Sequence, residues 1–135
     1  MKIFYGPKGT GKTKAIIDDA TLAVKDAKGH VVFITDTNRY SFDIKYPIRF
    51  LNTEEFKVSG EDGLLGFVSG IVAANGDNEF VYIDGIARIA GKSLSDMERF
   101  FLAIEQLEKD FGVKFVLTCS SSKEDLPNFI LKWVE

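Results

Sequence analysis

The chain has 135 residues, enough for one domain with a substantial core and no need of disulfide or metal staples. It is 45% hydrophobic and 27% charged with a net charge of −3, which argues against a broad basic field for nucleic acid and leaves no clear nucleic-acid site. No apolar run is long enough to span a bilayer, and a single cysteine and a single histidine exclude an internal disulfide and a histidine-based metal site.

Lys2–Tyr5 reads as a short buried strand, which leaves no room for a secretory leader and, with the lone Cys119, points to the cytoplasm. The strand runs into Gly6-Pro7-Lys8-Gly9-Thr10-Gly11-Lys12-Thr13, which fits G-x-x-x-x-G-K-[ST] at every fixed position. This is the phosphate-binding loop, or Walker A pattern. Glycines let successive backbone N–H groups curl around a phosphate, and the N-terminus of a following helix adds unpaired donors and a favourable dipole. Lys12 is expected to reach the β- and γ-phosphates, Thr13 to ligate Mg²⁺, and Lys14 to complete the binding stretch.

Gly11 to about Lys28 reads as a helix, with Ile16, Ala20, Ala23, Val24 and Ala27 at helical spacing and Gly29 as its stop. Val31–Ile34 is a continuously apolar strand opened by His30 and ending at Thr35-Asp36. Residues 37–47 look irregular, and Ile48–Asn52 suits another short strand. A helix over Asp62–Ala74 carries Leu64, Leu65, Val68, Ile71 and Val72 on one face. Phe80–Ile83 is the third main strand, finished by Asp84-Gly85 in the manner of a Walker B segment, so that Asp84 is expected to hold Mg²⁺ opposite Thr13.

Ile86–Lys92 reads as a loop. Ser95-Asp96-Met97-Glu98 then reads as a capping box for a helix whose face is Met97, Phe100, Phe101, Ile104, Leu107 and Phe111, with Gly112 as the stop. Val113–Cys119 is the fourth main strand, whose apolar run makes Cys119 a buried structural thiol. Pro127 opens a short last helix with Phe129, Ile130 and Trp133.

Alternating strands and helices predict a three-layer α/β/α sandwich around a mainly parallel sheet of about four to five strands; with the Walker A stretch, this resembles the P-loop NTPase fold. In such a sheet ligands bind at the carboxyl ends of the strands. The loop after the first strand, Asp36, Asp84 and Thr118 to Ser120 would share that edge, with Ser120 beside the nucleotide.

The order of elements resembles the RecA/KaiC/RadB-like ATPases of the P-loop superfamily over nearly the whole chain. The resemblance rests on the Walker A stretch, on Val32–Asn38 as their second strand, on Ile48–Phe56 as their next strand and turn, and on Thr118-Cys119-Ser120 as their γ-phosphate-sensing strand end. Two departures bear on catalysis. Gly85 stands where many additional-strand ATPases carry a water-polarising Glu, and Asn38 stands where this group carries its water-activating Glu, with Asp36 the nearest acid. Arg39, Arg49, Arg88 and Arg99 are candidate charge-stabilising residues, Arg88 the best placed.

The resemblance therefore implies an ATP- and Mg²⁺-binding protein whose hydrolysis is slow or partner-stimulated, with Lys12, Asp84, Asp36 and Asn38 as its catalytic candidates. Nucleotide-responsive loops would present themselves to a protein partner or a second copy of the chain. A small-molecule or nucleotide kinase and a nucleotide-binding subunit of a larger motor are the alternatives. A GTPase is disfavoured by the absence of Asn-Lys-x-Asp.

Overall fold

In the computed structural model, which describes residues 1–134, β1 (Lys2–Gly6) feeds the Gly-rich loop and α1 (Lys12–Asp26). Then follow β2 (His30–Thr35), β3 (Arg49–Asn52), α2 (Glu61–Ala74), β4 (Asn78–Ile83), α3 (Ile86–Ala90), α4 (Glu98–Phe111) and β5 (Lys114–Ser120). The five strands form one sheet in the order β1-β5-β4-β2-β3, and every pairing is parallel. All five carboxyl ends therefore lie along one edge.

The apolar runs are continuous because both faces of the sheet are covered. On one face Val31, Phe33, Tyr82 and Val116 pack with Ile16, Ile17 and Ala20 of α1. On the other, Val32, Ile34, Val81, Ile83, Phe115 and Leu117 pack with α2, α3, α4 and the C-terminal segment. Helices above and below make the three layers predicted from the alternation of elements. Tyr82 fastens α1 to the sheet: its hydroxyl donates to Asp19 Oδ1 at 2.7 Å, while Lys2 Nζ reaches Asp19 Oδ2 at 2.7 Å. Among the described residues no helix is long and apolar enough to cross a membrane.

Three local expectations are corrected. Residues 86–90 are helical rather than loop, because the turn buries Ile86, Ile89 and Ala90 against the core, with glycines in left-handed backbone at both ends. Ser95-Asp96-Met97-Glu98 is not a capping box. Leu94–Asp96 forms a 3-10 turn closed by Ser93 Oγ donating to Asp96 Oδ2 at 3.0 Å, and α4 starts after Met97 with no side-chain cap. Phe111 lies at the exposed end of α4, 62% accessible, whereas Met97, Phe100, Phe101 and Ile104 are buried as expected. The short last helix expected after Pro127 is present as a 3-10 helix, Asn128–Trp133, with Ile130 and Trp133 buried.

Candidate functional site

The Gly-rich loop leaves the sheet from a fixed point. Gly6 pairs in register with Ser120, and its carbonyl accepts the Ser121 N–H at 3.0 Å. Within the loop, Thr10 Oγ1 donates to the Pro7 carbonyl at 2.6 Å. Gly11, at φ 87°, turns the chain into α1 in a left-handed conformation that costs a side-chain-bearing residue energy. No side chain caps this helix, so its first N–H groups face the exposed loop without a side-chain partner. That is the arrangement to which an anion binds.

Asp84 follows β4 directly and is 3% exposed. Its carboxylate is held from two sides. Thr13 Oγ1, 71 residues away in sequence, donates to Oδ2 at 3.2 Å, and Thr118 Oγ1 donates to Oδ1 at 2.6 Å. Thr118 also accepts the Gly85 N–H at 3.3 Å, while the Asp84 N–H bonds the Ile34 carbonyl at 2.9 Å. Adjacent parallel strands thus set the carboxylate facing the first turn of α1.

Asp36, just beyond β2, is engaged by Arg88 of α3. Arg88 Nε and Nη2 each reach one carboxylate oxygen of Asp36 at 3.0 Å, a bidentate pair joining two loops of the same edge. Gly85 underlies this pair. It sits at φ 90°, and a Cβ there would run into the Arg88 guanidinium. Asn38 turns elsewhere, its Oδ1 accepting from Asn52 Nδ2 at 3.1 Å.

A cavity of about 900 Å³ lies over this edge. Lys8, Gly9, Gly11, Lys12, Thr13, Lys14 and Ser120 line one end, and Asp36 and Arg88 its wall. It continues along α1 through Ile17 and Thr21 to Tyr40 and Asp43. Burial depresses the Lys12 ammonium below the usual lysine range, with Asp84 opposing that shift and the Arg88 charge reinforcing it. Lys14 leans outward to Asp18 at 2.9 Å, which raises its pKa. Cys119 is buried behind the loop, its thiol pushed up to about 12 by desolvation.

The fold therefore brings the loop, Thr13, Asp84, Asp36 and Ser120 to one edge; Asp84, buried beneath Thr13, and Asn38 both lie outside the cavity lining. Arg88 is at the site, and Arg39 lines the cavity with its guanidinium 5.7 Å from the Tyr40 ring centre. Arg49 opens β3 on the surface, and Arg99 pairs with Asp62 and Glu61 at the start of α2, away from the edge. Two contributions escape a reading by motif. Thr118 turns to Asp84 rather than to the cavity, and Ile17 and Thr21 continue the Thr13 face of α1 at steps of four, a spacing visible in the sequence.

The donor set suits a hard divalent cation only in part. One hydroxyl and one carboxylate, both oxygen donors, match Mg²⁺, which takes one or two carboxylates and completes its shell with phosphate oxygens and water. Among the described residues no group of three or more His, Cys, Asp or Glu forms a metal cage. No protein-family model matches the chain, and no curated protein matches it in sequence.

Proposed function

We propose that the chain binds a Mg²⁺–nucleoside triphosphate, ATP first among them, and hydrolyses it slowly or under the stimulus of a protein partner. The observation that carries this reading is the 3.2 Å hydrogen bond from Thr13 to Asp84, which joins the complete G-x-x-x-x-G-K-T loop to an acid-ended buried strand. Thr13 and Asp84 would hold the ion. Lys12 and the N-terminal amides of α1 would hold the phosphates, whose charge the ion would partly neutralise when bound.

The order of strands supports the same reading. β5 stands between the loop-bearing β1 and the acid-ended β4, in keeping with the additional-strand ATPases that the chain order resembles. Slow turnover follows from the acids present. Asp36 is neutralised by Arg88, Asn38 faces Asn52, and Gly85 offers no side chain. In the nucleotide-free protein the acid nearest the loop is therefore paired rather than free to take a proton from water, and Asp43 lines the cavity only farther along.

The test is a Mg²⁺-nucleotide titration with turnover measured for wild type, Lys12→Ala and Asp84→Asn. Binding by the wild type, loss in Lys12→Ala and loss of the Mg²⁺ dependence in Asp84→Asn are expected. A wild type that binds no nucleoside triphosphate overturns the proposal.

One observation favours a second reading, a kinase for a small acceptor. The cavity continues from Thr13 along α1 through Ile17 and Thr21 to Tyr40 and Asp43, room that a small acceptor could occupy beside a nucleotide. Labelled phosphate appearing on an added nucleoside, nucleotide or small alcohol, faster than free phosphate appears, would decide for it.

A further inference from the structure

Arg88 and Asp36 stand 52 residues apart on two different loops of the sheet edge, yet meet through two 3.0 Å contacts. The guanidinium is half-exposed, and the carboxylate is less so. Exposed pairs of this kind are weak, because water solvates both partners. The same planar fork that fits a carboxylate fits a phosphate in the same two-pronged way. Arg88 lines the cavity that holds Lys12 and Thr13, and its charge is felt by both Lys12 and Asp84.

The backbone beneath is built for an arginine in this place. Ile86 and Ile89 bury the inner side of α3 and leave Arg88 on its outer side. Gly85, lacking a Cβ, clears the space that the guanidinium fills. Nothing in packing demands a carboxylate at position 36, since Asp36 lies on the cavity wall and not in the core.

We propose that Arg88 is a phosphate-sensing residue held in reserve: it exchanges Asp36 for the terminal phosphate of a bound nucleoside triphosphate. This rests on the nucleotide reading above. In the free protein Asp36 offsets part of the positive charge that Arg88 brings near Lys12. When a terminal phosphate is present, the fork has a more highly charged acceptor, and the exchange uncovers Asp36 at the wall. A diphosphate lacks the group that draws Arg88 away, so the pair persists. The site thereby distinguishes triphosphate from diphosphate through the partner that Arg88 takes.

The experiment measures the affinities of wild type, Arg88→Ala, Arg88→Lys and Asp36→Asn for Mg²⁺ with a non-hydrolysable ATP analogue and with ADP. Arg88→Ala should lose about tenfold in analogue affinity, with ADP affinity changed less than about twofold. Arg88→Lys keeps the charge without the fork and should fall between. Asp36→Asn frees Arg88 and should raise analogue affinity by up to about fivefold, with ADP unchanged. ADP binding by each variant reports that it is folded. An unchanged triphosphate-to-diphosphate ratio in Arg88→Ala and Arg88→Lys overturns the inference, as does weaker analogue binding in Asp36→Asn. A wild type that binds neither nucleotide overturns the nucleotide reading itself, and is thereby distinguished from failure of the exchange alone.

Discussion

Thr118 holds Asp84: its hydroxyl donates to Oδ1 at 2.6 Å while the same oxygen accepts the Gly85 N–H, inside the sheet edge. Thr118→Val keeps the shape and removes both links, leaving a buried carboxylate with one of its two side-chain partners. Hydrogen bonds to charged groups contribute about 1.5–3 kcal/mol. The substitution should lower the thermal midpoint by several degrees and weaken Mg²⁺-dependent nucleotide binding as Asp84 loses its orientation. Thermal unfolding followed by circular dichroism, with and without Mg²⁺-nucleotide, measures both.

Gly85 is predicted to resist the residue that many related-looking ATPases carry there. Gly85→Glu would force a side chain into left-handed backbone, at about 1–2 kcal/mol, and push against Arg88. The variant should be less stable and no faster in hydrolysis. A Gly85→Glu protein as stable as wild type, in urea titration, would contradict the close approach seen here.

Lys12 has a pH signature with two opposite signs. Burial holds its folded pKa below the unfolded one, so the nucleotide-free protein gains stability as pH rises through that lowered value, where the unfolded chain still binds the proton. On the proposed reading nucleotide binding would use the charged ammonium and should weaken over the same rise, at lower pH than for an ordinary lysine. Affinity measured by calorimetry from neutral to alkaline pH should show the loss, and Lys12→Arg should abolish this pH dependence.

Cys119 should be inert in the native chain. Its thiol, pushed up to about 12 and buried behind the loop, has almost no thiolate at pH 8. Alkylation by iodoacetamide should be slow until denaturant is added. Rapid labelling of the folded protein would mean that the loop region opens.

The strands and main helices were legible because each element announces itself locally. Val31–Ile34 and Phe80–Ile83 are unbroken apolar runs, and Met97, Phe100, Phe101 and Ile104 repeat at helical spacing. Residues 86–90 were not, because a five-residue helix is too short to display a period. It is stabilised by burying Ile86, Ile89 and Ala90 against neighbours distant in sequence. Phe111 misled for a related reason: periodicity marks a face, but the end of α4 runs past the surface it packs on.

At the site, the chain order alone determined the phosphate-loop pattern, the acid ending β4 and the common edge on which both lie. These follow from contiguous residues and from the parallel sheet that alternating elements require. Only the tertiary structure decided how the polar groups pair. Asp36 met Arg88 rather than standing free, Asn38 turned to Asn52, and Thr118 turned to Asp84. Such pairings join residues 14 to 52 positions apart, and they depend on loop paths and side-chain reach that no local pattern encodes.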